Sequence, residues 1–424
     1  MSPARPVSRR RVLAAGAGLA APLLLRPRRA RAADGVIRIG HVSPRTGPLA
    51  AFAEADDFVL RRIEAVLAPG LAIDGRRYEV RLITADSQSS PSRAAEVASE
   101  LILGQQVDII TAASTPDTTN PVADQAEVNE VPCITTDCPW QPWFFGRKGD
   151  PAQGFRWTWH FFWGLEDVVA AFLALWDGVA TNRVVGGLFP NDADGNAWGD
   201  PAFGFPPALA RARFALVDPG RFQPHGNDFT AQISAFKAAG VEIVTGNLVP
   251  PDFATFWGQA AQQGFRPKVV TIGKALLFPS AIAALGARGD GLSTEIWWSP
   301  RHPFRSGLTG ESAAELCAAY SRATGRPWTQ PIGFKHALFE VVVDVLRRSR
   351  DPGRPQAIRD AIAATDYRSV VGRVRWGGGP VPNVCRTPLV AGQWRLASGT
   401  PELVIAENAT APEIPVGGTL RLLS

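Results

Sequence analysis

The feature that most constrains this chain is a regular alternation of short apolar strands with amphipathic helices, run through twice in succession. Val36 to Gly40 reads as a strand, Leu49 to Leu67 as a helix, Glu79 to Ile83 as a strand, and Pro91 to Gly104 as a helix that Ser90 can cap. Val107 to Thr111 and Val131 to Thr135 follow as strands around a helix at Thr118 to Asn129. This βαβαβαβ order predicts a parallel sheet covered by helices on both faces. The order then restarts. Helices are expected at Glu166 to Asp177, Pro201 to Phe214, Phe229 to Gly240, Phe253 to Gly264 and Ser280 to Leu285, with strands at Arg183 to Phe189, Ala215 to Val217, Glu242 to Gly246, Lys268 to Ile272 and Thr294 to Trp298. Two further helices (Ser312 to Thr324, Gly333 to Arg348), a helix at Pro355 to Ala364 and strands at Val370 to Trp376 and Pro388 to Leu396 complete the pattern. With 424 residues, 46% of them hydrophobic, the chain exceeds one comfortable core, so two α/β lobes are expected. In open parallel sheets a ligand sits beyond the carboxyl ends of the strands, where strand order reverses, and two facing sheets make a cleft there.

Residues 1–32 read as an export signal. A basic stretch ends at Arg11, an apolar run of about 14 residues extends from Val12 to Leu25, and Ala30-Arg31-Ala32 is a small-x-small cleavage signal. The run is too short to span a bilayer. Ser8-Arg9-Arg10-Arg11-Val12-Leu13 closely resembles the twin-arginine signal, which implies the twin-arginine export machinery as a partner. Gly16-Ala17-Gly18-Leu19-Ala20-Ala21 imitates a dinucleotide fingerprint, but no strand precedes it, so no cofactor is expected. The segment holds eight arginines and no acid, so its removal takes the net charge from +5 to 5 − 8 = −3. The mature chain then gives no argument for binding nucleic acid. No cysteine near the cleavage point could carry a lipid, and the expected destination is the periplasm, as a soluble protein after cleavage near Ala32. Cys133 and Cys138 are close enough for a local bridge if the chain turns between them; a small buried hydrophobe at Cys133 is the alternative.

Five strings, in this order and spacing, resemble the type I periplasmic substrate-binding proteins, in particular the branched-chain amino-acid (leucine-binding protein-like) group of ABC transporters. They are IRIGHVSPRTGPLAAFA (37–53), LITADSQSSPSRAAEVASELI (82–102), VDIITAASTPDTTNPVADQAEVNEVPCITT (107–136), NDADGNAWGD (191–200) and GNDFTAQISAFKAAGVEIV (226–244). The resemblance implies two Rossmann-like lobes joined by a multi-segment hinge, with a small-molecule ligand between them and an ABC permease of the inner membrane as partner. Lobe 1 is then expected at 33–156 and 299–350, and lobe 2 at 157–298 and 351–424. The ligand would be held by the loops after strands 1, 3 and 4 of the first half, at Ser43 to Gly47 (Arg45 and Thr46 among them), Ser114 and Thr115, and Thr135 and Thr136. Small hydroxyls and the freed amides of a helix start are ready donors to a carboxylate, although the same residues can serve only as caps.

The amino-acid binders of this family resemble one another in placing an acid after the strand that here reads Glu242 to Gly246; this chain continues with Asn247 instead. A buried ammonium without a counter-charge is costly, which argues against an ordinary α-amino acid unless Asp192 or Asp194 compensates. Arg45 suits a bidentate hold on a carboxylate, or is a solvated loop arginine. Five of the 13 tryptophans fall between 140 and 163. If 157–162 runs extended, Trp157 and Trp159 share a face that would wall the cleft or pack the lobe junction, and Trp140 and Trp143 are candidates for its rim. Asp192 to Asn196 mimics the start of a calcium loop, yet Phe203 stands where the closing glutamate is needed, so a turn is expected rather than a metal. There is no G-x-S-x-G, H-E-x-x-H or phosphate loop, which favours binding over catalysis. The expected role is capture of a small carboxylate, aromatic or amino-acid-like, for import. A sensor module of the same fold and a periplasmic hydrolase are the alternatives.

Overall fold

The computed structural model describes residues 34–396 and 400–423. The export signal, its twin-arginine motif and the cleavage point at Ala32 lie outside the described residues. The opening strand β1 (Gly35–Ser43) is buried on both faces over its second half, as a central strand between two helical layers must be. β2 (Leu71–Ile73), β3 (Arg76–Asp86), β4 (Ile109–Ala113), β5 (Cys133–Thr136) and β6 (Thr158–Phe161) join it. The second half supplies β7 (Val184–Leu188), β8 (Ala215–Val217), β9 (Ile243–Gly246), β10 (Val269–Ile272) and β11 (Ser293–Ile296). The C-terminal part returns to both halves. β12 (Asp366–Ser369) and β13 (Gly372–Arg375) pair as a hairpin, β14 (Val384–Cys385) reaches the first half, and β15 (Val390–Arg395) and β16 (Glu402–Glu407) reach the second.

Two seven-stranded sheets result, ordered β14-β6-β5-β4-β1-β3-β2 and β16-β15-β11-β10-β9-β7-β8. β1 pairs in parallel with β3 on one side and β4 on the other, and β7 does the same with β8 and β9. Strand order therefore reverses at corresponding points of the two sheets, between β1 and β4 and between β7 and β9. Local chemistry starts the helices as the sequence expects. Ser90 accepts from the Arg93 amide at 3.4 Å, Ser312 and Glu315 form a reciprocal capping box, and prolines open the helices at Pro116 and Pro250. The long helix Pro331–Arg348 is apolar nearly all round and is buried against β5, the helix Asp56–Leu67 and the helix Pro355–Ala363. Trp298 lies on it so closely that a Cβ at Gly333 would stand 2.3 Å from the indole.

The lobe boundaries differ from the expected ones. Residues 157–161 were expected in lobe 2, but β6 hydrogen-bonds to β5 in the first sheet, register Cys133↔Thr158 to Thr135↔His160. Residues 351–388 also belong with the first lobe: the helix Pro355–Ala363 covers Pro331–Arg348, and β14 closes the edge that β6 would otherwise expose. β2, β12, β14 and β16 have no counterpart in the sequence reading, and the helix expected at Pro201 begins only at Phe205, after a separate turn of helix at Ala193–Trp198. The chain crosses between lobes at 162–164, after β11, and at 386–389. All four cysteines are free and buried, Cys133 and Cys138 included.

Candidate functional site

The carboxyl ends of the two sheets meet around a small cavity. From the first lobe and its crossing segment come Phe52, Thr115, Asp137, Pro139, Phe162 and Trp163; from the second come Asp194, Trp198, Asn247, Lys274, Leu277, Glu295 and Trp297. Only about 20 Å³ is open between them, room for roughly one water, because five large rings fill the gap that the sequence reading expected to be solute-sized. The lobes touch beyond the cavity too. Phe52 meets Phe278 edge-on at 5.1 Å, Ser280 Oγ donates to Glu54 Oε2 at 3.2 Å, and Phe145 lies 6.4 Å from Phe203 at the surface.

The chemistry of the cavity is concentrated in groups that lack a protein partner. The Thr115 hydroxyl, both Asp137 oxygens and the Trp163 Nε1 on one side are matched by Asp194 Oδ1, both amide atoms of Asn247 and the Trp297 Nε1 on the other. All are buried. Buried polar groups are almost always paired, at about 1–3 kcal/mol for each one left alone, so this convergence marks a place built to meet further polar atoms. Asp137 and Lys274 stand just past β5 and β10 and take φ of +75° and +57°, a region that side-chain-bearing residues rarely enter and that clusters at functional sites.

The charges are unevenly distributed. Lys274 Nζ bonds Asp194 at 2.8 Å and Asp192 at 3.2 Å. Burial works against the lysine's ammonium, but Asp192, Asp194 and Asp117 outweigh it and raise its pKa. Burial raises the Asp194 carboxyl while Lys274 lowers it. Asp137 has no such neighbour in contact; burial pushes it up to about 7, with Lys335 only partly opposing. Glu295 is likewise pushed up to about 7 by burial, although it accepts from Thr294 Oγ1 at 3.0 Å and the Lys274 amide at 3.4 Å.

Of the residues singled out in the sequence, Thr115 and Asn247 line the cavity, and Ser114 is buried beside Thr115 with its hydroxyl unpartnered. Thr115 makes no side-chain cap bond, so the helix it precedes does not account for its hydroxyl. Asp192 sits at the edge, capping Gly195 N at 2.6 Å and holding Lys274. The others are turned to structural tasks. Arg45 pairs with Asp57 at the surface, and Thr46 Oγ1 donates to Asp86 Oδ2 at 2.7 Å. Thr135 bonds His160 Nδ1 at 2.8 Å, and Thr136 donates to the Phe161 carbonyl at 2.7 Å. Trp140 donates to Glu166 at 3.1 Å, and Trp159 lies in the core of the first lobe.

The sequence of a family described as periplasmic binding protein matches residues 36–387. The chain belongs to the periplasmic binding protein family. Solved structures share the fold of this periplasmic binding protein along nearly their whole length. The leucine binding protein LivK of Thermotoga maritima is 19% identical, with a TM-score of 0.70 over 88% of this chain and 99% of that one. A solute binding protein of an ABC transporter from Rhodopseudomonas palustris, in complex with 3,4-dihydroxybenzoic acid, is 16% identical, with a TM-score of 0.71 over 90% and 99%. The LivJ substrate binding protein of Streptococcus pneumoniae, in complex with isoleucine, is 15% identical, with a TM-score of 0.68 over 87% and 99%. A comparison with curated protein sequences finds no significant match.

In this periplasmic binding protein the sequence reading missed Asp137, Lys274, Glu295 and Trp297. Each lies within two residues of a strand end, so extending the rule of carboxyl ends to every strand would have found them. Asn247 stands after the strand that ends at Gly246, and Asp194, named in the sequence reading as a compensating acid, lines the cavity together with Asp137 and Glu295. The aromatic run divides by role. Phe162 and Trp163 wall the cavity at the crossing, whereas Trp143 stacks on His160 at 4.8 Å and Trp157 lies beneath the guanidinium of Arg359.

Proposed function

We propose that this protein is the solute-binding component of an ABC importer, which closes its lobes on a small molecule in the periplasm and presents the closed form to an inner-membrane permease. The twin-arginine motif supports export of the folded chain by that route. The observation that carries the reading is the set of unpartnered polar groups contributed to one cavity by both lobes. Thr115, Asn247 and Lys274 suit a carboxylate, the three carboxyls suit an ammonium or hydroxyls, and the indoles suit a flat or apolar body. An amino-acid-like or aromatic carboxylate fits that combination. The 20 Å³ now open is smaller than any such solute, so the lobes must stand further apart around it than they do here.

A thermal-shift screen of the mature protein against amino acids and aromatic carboxylates tests this directly. A ligand at 100 times its Kd adds about 2.7 kcal/mol of stability. No shift with either class, or turnover of a bound compound, would remove the proposal. For a ligand so found, Ser114→Ala and Thr115→Val are each expected to weaken binding about fivefold. Thr135→Val should leave affinity alone and lower stability by about 1–3 kcal/mol, since it strands His160 Nδ1. Calorimetry and urea melts separate the two patterns, and weakening by Thr135→Val alone would relocate the site.

A further inference from the structure

A second cavity, of about 440 Å³, opens at the other end of the second lobe. It is lined by residues that precede β10 (Arg266) and β11 (Arg288), by the last residue of β15 (Arg395) and by the C-terminal segment (Arg421). The interlobe cavity lies past the opposite ends of the same strands: Lys274 is eight residues beyond Arg266, roughly 26 Å if the chain is fully extended. The lining carries four arginines and, among the described residues, a single carboxylate, Asp290, which already accepts the Leu396 amide at 2.8 Å. Among the described residues none of the four arginines is in a salt bridge, and Arg395 Nε is buried without a partner. Like charges gathered around a concave wall repel one another and focus a positive potential into it, and a planar fork of donors is the shape that receives phosphate or carboxylate oxygens.

The same cavity has an apolar side. The Trp257 ring stacks on Phe253 at 6.1 Å and is held in place by reciprocal bonds, its Nε1 donating to the Arg288 carbonyl at 3.0 Å and Arg288 Nη1 donating to the Trp257 carbonyl at 3.4 Å. Volume, charge and a fixed indole meet the general requirements of a small-ligand site. We propose that this cavity is a second binding site, separate from the interlobe one, for a small organic anion: a phosphate or carboxylate attached to a flat apolar group.

Phenyl phosphate is the probe, with phenol and inorganic phosphate as its two halves, titrated calorimetrically into the mature protein. Phenyl phosphate is expected to bind with a millimolar or tighter Kd and more tightly than either half. Arg266→Glu with Arg421→Glu should weaken it about tenfold or more. Neither of those side chains makes a hydrogen bond within the described fold, so the doubly substituted protein should melt as the native one does. Asn247→Ala, at the interlobe cavity, should leave the affinity unchanged. Absence of binding, phenol binding as tightly as phenyl phosphate, native affinity in the doubly reversed protein, or a loss caused by Asn247→Ala would each overturn the proposal.

Discussion

Lys335→Met is expected to lower the stability of the protein by about 3–5 kcal/mol in urea unfolding. Lys335 stands near the start of the largely buried helix Pro331–Arg348, its side chain 1% exposed, and its ammonium is paired with Asp56, 2% exposed, and 3.2 Å from Ser43 Oγ. Ser43 in turn donates to the other Asp56 oxygen at 2.5 Å. Removing the cation leaves a carboxylate in the core with one hydroxyl for company, and breaking a buried pair in this way costs far more than the intact pair contributes. Asp56→Leu combined with Lys335→Met should therefore recover most of the loss. Equal instability of the single and double variants would show that the helix needs the lysine for packing rather than for charge. The pair also fixes the end of β1, the strand beside which strand order reverses, so the arrangement of the cleft depends on it.

The closed arrangement should become more populated as pH falls through 7. Asp137 and Glu295 are pushed up to about 7 by burial between the lobes, whereas a hydrated carboxyl titrates near 4. Between those values the closed form carries more protons than an open form in which the carboxyls meet water. Closure therefore takes up protons, and lower pH favours it by up to about tenfold per pH unit for each group. The sign is the same for unfolding: stability from these raised carboxyls is present at low pH and lost as pH rises through 7. The neighbours are Lys335 and Asp56 for Asp137, and Asp194 and the Lys274 amide for Glu295. Labels placed on the two lobes and read by energy transfer from pH 8 to 5.5 would follow the change. Asp137→Asn with Glu295→Gln should flatten it, and opening on acidification would contradict this account.

How much of this was legible depended on what each residue had to know about its surroundings. Alternation of apolar runs is a local property, and it located most strands and helices of the two α/β repeats to within a few residues but not the short or late strands β2, β12, β14 and β16. The turns after strands were legible for the same reason, and two residues picked from them, Thr115 and Asn247, line the interlobe cavity. Whether a hydroxyl is free is not local. Thr135 and Thr115 look alike in sequence, but β6 brings His160 beside one and nothing beside the other. Arg45 could be taken for a ligand clamp because Asp57, twelve residues on, returns to it only through the turn of chain before the helix Asp56–Leu67. The handover at 157 was misplaced because an extended segment reads the same in either sheet; β5 takes it into the first, and its other neighbour, β14, arrives more than 200 residues later.

That late arrival governs how the molecule can be made. Neither lobe is a continuous stretch of chain: the first sheet waits for Val384, and the second for Glu407. While the protein is being synthesised β6 has one bare side and β11 another, each able to pair with a neighbouring chain. Contacts so distant in sequence form slowly. Assembly should thus proceed only after synthesis is complete, with a window in which unfinished chains are prone to aggregate and a shielding chaperone would raise the yield.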